Sequence, residues 1–366
     1  MHPKDLAPAH VREIAPYVPG KPVAETAREL GLREADILKL ASNENPLGSS
    51  PKAIAALQGA LGDLAWYPDG SGHDLKLAIS AKLAVRPENI VLGNGSNDVL
   101  ELAARAFLTP ADSAVFSQHA FMVYPLVVKA VGARGIEVPA KDYGHDLEAM
   151  AAAIRPDTKI VFLANPNNPT GTFLPWDAIR AFVSRVPATA LVVLDEAYGE
   201  YLPDERRSPT AGWLGDFPNL VVSRTLSKAY GLAGLRVGFG LAHPEVAELM
   251  NRVRQPFNVN HLAMVAACAA LGDDAFIAES RRVNAEGLAQ LARGFARLGL
   301  EFIPSAGNFV AVRVGDAARV YDALLREGVI VRPVAGYGMP EHLRVTVGTA
   351  PQNERFLAAL ARALGR

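Results

Sequence analysis

The sequence of 366 residues contains almost no cysteine and almost no net charge. Its one cysteine, Cys268, lies in an alanine-rich stretch, so no internal disulfide can form, and the residue is typical of a small apolar position in a helix. A formal net charge of −1 gives no general attraction for polyanions, which argues against nucleic acid or an acidic membrane as the main partner. Small-molecule chemistry is therefore the better starting hypothesis.

Long apolar runs are also missing. No stretch of about 18 uninterrupted apolar residues occurs, and residues 1–6 show no apolar segment after basic residues. We therefore expect a cytoplasmic location and no membrane partner. Because 50% of the residues are hydrophobic and 20% are charged, the chain still has enough apolar surface for one large or two medium cores.

Short apolar runs alternate with longer helical patterns, rich in alanine and leucine, over residues 45–255. The runs lack two-residue alternation, which is typical of strands in a parallel sheet covered by helices on both faces. The predicted strands are residues 89–92, 113–116, 159–163, 190–194 and 219–223. The pattern predicts an α/β fold, in which residues 45–255 form a large αβα domain with a mostly parallel central sheet.

Beyond residue 255 the pattern changes to that of a smaller α+β domain, residues 256–366, which an N-terminal arm, residues 1–44, joins in part. A long helical region runs from His243 to Leu298 with a break near Asn260. The elements predicted after it are strands at 308–314, 329–332 and 342–347, a helix at 316–327 and a closing helix from Pro351 that Thr349 caps.

The segment of residues 223–236 places one lysine, Lys228, among hydroxyl groups and glycines. Thr225 and Ser227 supply hydroxyl donors, and Arg236 can bind a phosphate through two parallel hydrogen bonds. A lysine is more commonly a solvated surface charge, but these neighbours favour a ligand site. A lysine that forms a Schiff base beside a phosphate site is what pyridoxal phosphate requires.

Asp195 stands at the end of a predicted strand, where ligand sites of α/β sheets lie. Its carboxylate could pair with the pyridine nitrogen of pyridoxal phosphate, and this opposite charge would lower the pKa of Asp195 despite burial. The alternatives are a helix N-cap or a magnesium ligand. The sequence contains no Gly-x-x-x-x-Gly-Lys-Ser/Thr motif that would support the magnesium alternative, so we expect no metal site.

Three further segments suit the same cofactor, although each has an ordinary structural interpretation. Residues 165–171 form either a plain turn or a rigid loop in which Asn168 donates to the phenolic oxygen of pyridoxal. The glycine-containing turn before Ser96 and Asn97 is either a connection or a helix N-terminus whose N–H groups bind phosphate. Phe121 belongs either to the core or to the face of a planar ring.

Together and in this order, these segments resemble the fold-type I pyridoxal phosphate enzymes, and within them the class II aminotransferases. The resemblance starts near Ile14 and covers nearly the whole chain. The motifs that carry it are residues 40–48, 66–68, 167–171, 195–198, 225–236 and 343–348. It implies a fold-type I architecture and a two-stage transamination between an amino donor and a 2-oxo acid.

The resemblance also implies residue roles. Lys228 would carry the cofactor and move the substrate proton, Asp195 would face the pyridine nitrogen, and Tyr198 would lie at the phenolic oxygen. The other cofactor contacts that it implies are Asn168 at the same oxygen, Phe121 on the ring, and Ser96, Asn97, Thr225, Ser227 and Arg236 at the phosphate. Tyr67, otherwise a residue of an ordinary Tyr-Pro turn, would reach the neighbouring subunit's phosphate, which implies a homodimer with shared sites.

For the substrate, the resemblance implies that Arg344 binds an anionic group, with Arg332 as a second contact and Tyr17 and Asn43 at the pocket wall. The motif set is similar to that of members that act on L-histidinol phosphate with 2-oxoglutarate as acceptor. The alternatives are an aromatic amino acid aminotransferase, a decarboxylase of the threonine-phosphate type and a non-catalytic protein that binds a phosphorylated ligand.

Overall fold

The computed structural model describes residues 2–16 and 20–366. Its helices are α1 (Ala9–Arg12), α2 (Val23–Leu30), α3 (Pro51–Ala60), α4 (His73–Leu83), α5 (Ser96–Phe107), α6 (Val123–Ala130), α7 (Leu147–Ala152), α8 (Trp176–Arg185), α9 (Pro244–Arg252), α10 (His261–Leu271), α11 (Asp274–Arg297), α12 (Ala317–Arg326) and α13 (Ala350–Ala363). Its strands are β1 (Leu38–Lys39), β2 (Ile90–Gly93), β3 (Ser113–Ser117), β4 (Arg134–Val138), β5 (Thr158–Ala164), β6 (Leu191–Asp195), β7 (Leu220–Thr225), β8 (Gly238–Ala242), β9 (Phe302–Ile303), β10 (Phe309–Arg313), β11 (Val329–Ile330), β12 (Arg332–Pro333) and β13 (His342–Thr346).

A seven-stranded sheet with the order β2-β8-β7-β6-β5-β3-β4 forms the centre of the larger part of the molecule. β8 runs in the direction opposite to that of the other six strands of this sheet, so the expected mostly parallel sheet is confirmed. Alternate residues of β5 enter separate cores on the two faces, Val161 and Leu163 in one and Ile160 and Phe162 in the other. Burial on both faces explains why these strands are continuous apolar runs.

Two strands of this sheet carry no apolar run that predicts them. β4 lies at the edge of the sheet, and most of its residues are exposed or half-buried. β8 is rich in glycine because α5 packs directly on it. A Cβ atom at Gly238 would lie 2.5 Å from the main-chain nitrogen of Ser96, and one at Gly240 would lie 2.8 Å from Val99 Cγ1. Glycine in β8 therefore sets how closely the N-terminus of α5 approaches the sheet.

The smaller sheet is antiparallel with the order β12-β13-β10-β9, and α11, α12 and α13 share its apolar core. The single strand predicted at residues 329–332 is wrong, because this run serves two sheets. β11 pairs with β1 of the N-terminal segment, whereas β12 pairs with β13. Thr349 caps α13 as predicted, in a capping box with Gln352.

The helical region before the smaller sheet contains two breaks instead of one. Asn260 caps α10 by accepting the N–H of Ala263 at 2.8 Å, and a second break separates α10 from α11. Although α10 follows residue 255, it packs against α3 and α4, and its residues belong to a core of the seven-stranded sheet. The division of the chain into domains stays a prediction.

Within the described ranges, no helix taken singly has both the length and the apolar character needed to cross a membrane. The pair α10 and α11 meets the length and composition only when joined, across a bend of 81°.

Two glycines in helices provide a test of the packing between α11 and α13. A Cβ atom at Gly294 would lie 2.4 Å from Cδ1 and 3.0 Å from Cγ of Leu357, whereas nothing lies within 4 Å of one at Gly59. Gly294→Ala should lower the free energy of unfolding by about 1–3 kcal/mol, because the whole Leu357 side chain must move. The control Gly59→Ala should raise it by up to about 1 kcal/mol. The midpoints of urea unfolding measure both, and shifts in the same direction would contradict the packing described.

Candidate active site

The candidate active site is a cavity of about 190 Å³ at the carboxyl ends of the parallel strands. The last residues of β5, β6 and β7, which are Ala164, Asp195 and Thr225, all line it. Residues of the smaller sheet and of the N-terminal segment close its other side. Parallel strands end at the same edge, so side chains far apart in sequence meet there.

Most of the residues proposed from the sequence line this one cavity. They are Asn43, Ser96, Asn97, Phe121, Asn168, Asp195, Tyr198, Thr225, Ser227, Lys228, Arg236, Arg332 and Arg344. Tyr67 does not line the cavity; it is 84% exposed and stacks on Phe257 with ring centroids 4.9 Å apart. Tyr17 lies outside the described residues.

One end of the cavity is built to hold an anion. The N-terminus of α5 opens there, and Gly95 precedes it with φ +84°. A Cβ atom at Gly95 would lie 2.4 Å from Nη2 of Arg236, so glycine is what allows the guanidinium to lie over this turn. Arg236 Nη1 donates to Ser227 Oγ at 3.4 Å, and Thr225 Oγ1 accepts the Ser227 N–H at 3.1 Å. Hydroxyls, a guanidinium and a helix N-terminus together suit a phosphate.

Asp195 lies in a dry part of the cavity. Its side chain accepts the Tyr124 hydroxyl at 3.0 Å and the Ala197 N–H at 3.1 Å. Burial nevertheless raises the pKa of Asp195 to about 6, because these two hydrogen bonds only partly offset the loss of hydration. The lowered pKa expected from the sequence applies to Asp195 paired with the pyridine nitrogen, and it stays a prediction. A bound cation beside Asp195 is needed to reverse the direction.

Tyr124 is a site residue that the sequence reasoning missed. It is fully buried, stacks on Phe162 with ring centroids 4.9 Å apart, and meets Phe121 edge-to-face at 5.9 Å. Its signal in the sequence was its place three residues after Phe121, which is about one turn of helix. Ser42 and Tyr337, which also line the cavity, were missed as well; Ser42 lies within the motif of residues 40–48, whereas Tyr337 has no sequence signal.

Lys228 presents its amine inside the cavity. Nζ donates to the main-chain oxygen of Ser42 at 3.0 Å. Burial, reinforced by the positive charges of Arg344 and Arg236, lowers the pKa of Lys228 to about 8. About a tenth of an amine with this pKa is unprotonated at pH 7, far more than for an exposed lysine, and nucleophilic and proton-transfer chemistry requires that form.

A hydrogen-bonded network joins the smaller sheet to the Asn168 turn. Arg344, on β13, donates to Asn168 Oδ1 at 2.6 Å and to the main-chain oxygen of Ala41 at 2.8 Å. Asn43 Nδ2 donates to the Tyr198 hydroxyl at 2.9 Å, and burial raises the pKa of Tyr198 to about 12. Because Arg344 takes the amide oxygen of Asn168, the Asn168 NH₂ group is left to donate to a ligand.

These groups fit pyridoxal phosphate. The anion site suits its phosphate, Asp195 suits a protonated ring nitrogen, and the Lys228 amine suits its carbonyl carbon. Asn168 and Tyr198 supply polar groups for its phenolic oxygen. The apolar ring of Phe121 lies on the same cavity wall and suits the face of a planar ring.

The whole chain is similar to proteins of known class. The family model described as aminotransferase class I and II matches residues 35–360. Histidinol-phosphate aminotransferase 1 of Thiobacillus denitrificans is 64% identical over 358 residues, covering 98% of this chain and 93% of that protein. Histidinol-phosphate aminotransferase of Methylobacillus flagellatus is 60% identical and covers 98% of each chain.

The similarity extends to a solved structure. The crystal structure of histidinol-phosphate aminotransferase from Sinorhizobium meliloti, in complex with pyridoxal-5′-phosphate, matches this fold with a TM-score of 0.90. Its sequence is 32% identical, and the match covers 98% of this chain and 97% of that one.

Because the Asp195 carboxyl is buried, its ionisation should lower the free energy of unfolding of the ligand-free protein. In the folded protein the pKa of Asp195 is about 6, above the ordinary value of 3.8. The loss of stability is therefore absent at low pH and complete above about pH 6. Asp195→Asn should therefore stabilise the ligand-free protein, by an amount that grows by about 1–2 kcal/mol between about pH 5 and about pH 8. Urea unfolding across this range measures it, with Asp322→Asn at an exposed position of α12 as control. A difference that does not change with pH would refute the assignment.

Proposed function

Because this chain belongs to the aminotransferase class I and II family, we propose that it transfers the amino group of L-histidinol phosphate to 2-oxoglutarate. The products are imidazole acetol phosphate and glutamate, in histidine biosynthesis. The cofactor is pyridoxal 5′-phosphate. The observation that carries the proposal is identity of 60–64%, over nearly the whole chain, with relatives named for this activity. A cytoplasmic location is part of the proposal.

The residues of the cavity have separate roles in a transamination. When bound, pyridoxal phosphate supplies a carbonyl carbon that accepts an amine and a ring that delocalises an electron pair. Asp195 would hold the ring nitrogen in its protonated form, while Arg236, Ser227 and the α5 N-terminus would hold the phosphate. Lys228 Nζ would take the proton from the substrate Cα, since burial lowers the pKa of this amine and so raises its unprotonated fraction near neutral pH.

Two arginines in the same cavity support a substrate with an anionic group. Arg344 and Arg332 both line the cavity, and a guanidinium binds phosphate or carboxylate oxygens in its plane. L-histidinol phosphate has no carboxylate, so its phosphate is the group that they would meet. An aromatic amino acid would present a carboxylate to the same arginines, but the names of the similar proteins do not favour that alternative.

A comparison of substrates tests the proposal. We expect kcat/KM with 2-oxoglutarate as acceptor to be at least about tenfold higher for L-histidinol phosphate than for phenylalanine or tyrosine, because only the former carries a phosphate. A preference for phenylalanine or tyrosine would overturn the substrate while leaving the reaction class intact.

The control for this comparison is Lys228→Ala. The wild-type protein should show the visible absorption band of covalently held pyridoxal phosphate, and the variant should lose both the band and the turnover. A colourless wild-type protein that cannot be reconstituted with the cofactor would support a non-catalytic phosphate-binding protein.

We also propose that the active unit is a homodimer. The support is a set of exposed apolar side chains around Tyr67, which on a monomer would remain in water. Its members are Leu61, Leu64, Trp66, Tyr67 and Phe257, of which Trp66 is 76% exposed. The resemblance to the family implies that Tyr67 serves the neighbouring subunit's site.

Mixing two inactive variants tests the shared sites. If Tyr67 serves the neighbouring subunit, a hybrid dimer of Lys228→Ala and Tyr67→Ala chains contains one site with both residues intact. Equal mixing after mild dissociation should then restore activity toward about a quarter of the wild-type value per subunit. Light scattering after gel filtration checks the dimer mass. No restoration in confirmed hybrids would show that Tyr67 acts within its own chain or not at all.

A further inference from the structure

His119 joins the two sheets beside the candidate active site. It lies in the segment between β3 and α6, and its side chain is buried. Its ring Nδ1 lies 2.6 Å from the main-chain oxygen of Tyr337, in a contact between residues 218 positions apart. Because a carbonyl oxygen only accepts, Nδ1 carries the hydrogen and donates it. Tyr337 ends a short 3₁₀ turn, Ala335–Tyr337, between β12 and β13.

Both partners of this hydrogen bond belong to segments that line the cavity. Tyr337 lines it from the smaller sheet, and Phe121, two residues after His119, lines it from the larger one. The main-chain oxygen of His119 accepts the Asn167 side-chain N–H at 2.8 Å, directly before Asn168. His119 therefore lies where the stacking residue, the Asn168 turn and the Tyr337 wall come together.

The Tyr337 turn packs on the smaller sheet through Val334, Tyr337 and Met339, which share an apolar cluster with Ile303 and Ala311. Within it, main-chain hydrogen bonds run from Tyr337 to Val334 and from Gly338 to Ala335, while Ala335 and Gly336 are exposed. The His119 ring packs closely against it, because a Cβ atom at Gly338 would lie 3.4 Å from His119 Cε1. The hydrogen bond can form only while the turn lies against the larger sheet, so it favours the arrangement in which Tyr337 closes the cavity.

We propose that His119 is a positioning residue for the amino donor: by donating from Nδ1 to the Tyr337 carbonyl, it holds the Tyr337 wall against the substrate side of the cavity. The proposal rests on the proposed function and assigns to this site a residue that acts on substrate binding. The Nδ1 hydrogen bond reaches Tyr337 and not the anion site, Asp195 or Lys228, and His119 contacts the Asn167 side chain through its main-chain oxygen. We therefore expect substitutions of the His119 ring to leave cofactor binding unchanged.

Three substitutions distinguish the effect of losing the Nδ1 donor from the effect of losing the volume of the ring. Asn places its side-chain N–H where His places Nδ1, Gln places it one bond further out, and Leu offers no donor at all. In His119→Leu and His119→Gln we expect KM for L-histidinol phosphate to rise about fivefold to tenfold, with kcat within about twofold. In His119→Asn both constants should stay within about twofold of wild type. If the Leu variant does not fold, the Gln variant carries the comparison.

A second measurement needs no substrate. Hydrogen exchange of the peptide that covers residues 334–339 should be faster in the Leu and Gln variants than in wild type or His119→Asn. The dissociation constant of pyridoxal phosphate, measured by fluorescence quenching, should be the same in all four proteins. A wild-type protein inactive on L-histidinol phosphate would defeat the proposed function, whereas the exchange result would still report on the His119 contact.

Three results would overturn the role of His119. The first is unchanged exchange and unchanged KM in the Leu variant, which would mean that the hydrogen bond holds nothing. The second is an Asn variant that behaves like the Leu variant, which would mean that the Nδ1 donor is not the relevant group. The third is a parallel loss of cofactor affinity, which would mean that His119 acts through the Asn167 turn.

Discussion

The burial of incompletely neutralised charges at one edge of a parallel sheet is the constraint on which this molecule depends. Asp195 is buried and Lys228 is half-buried in the same cavity, and the loss of hydration moves their pKa values in opposite directions, up for the acid and down for the amine. Each group is therefore less stable in its charged form than it would be in water. A ligand with a cationic nitrogen, an anionic phosphate and an electrophilic carbon relieves all of these costs at once, which explains why the donor set is so specific for one cofactor.

The residue next to Asp195 is also a buried acid, but its charge is paired with other groups of the protein. Glu196 is fully buried, but it accepts from Arg224 at 2.6 Å and from the hydroxyls of Ser208 and Thr210 at 2.7 and 2.6 Å. Neighbouring residues point to opposite sides where the strand ends, so one carboxylate faces the cavity and the next faces a complete set of partners. A buried charge that is fully paired is structural, whereas one that is left short of partners is available for a ligand.

The cofactor side of the cavity was largely predictable from the sequence. Asp195 and Thr225 end strands, and Ser96 begins a helix after a glycine turn, so local patterns alone place these residues at the same edge of the sheet. The side facing the substrate was less predictable. Tyr337 carries no motif, because a turn of the smaller sheet places it there. On the cofactor side, Tyr124 was missed because packing on Phe162 places it beside Asp195.

The sequence by itself determined the class of chemistry and the strands that carry it, because period, turn residues and helix starts depend on near neighbours. Only the tertiary structure decided which way the pKa of Asp195 moves in the ligand-free protein. It also decided that residues 329–332 divide between two sheets and that His119 contacts Tyr337. Each of these depends on burial or on contacts between residues far apart in the chain. Dielectric environment and long-range pairing arise only when the two sheets pack together, and no local pattern records them.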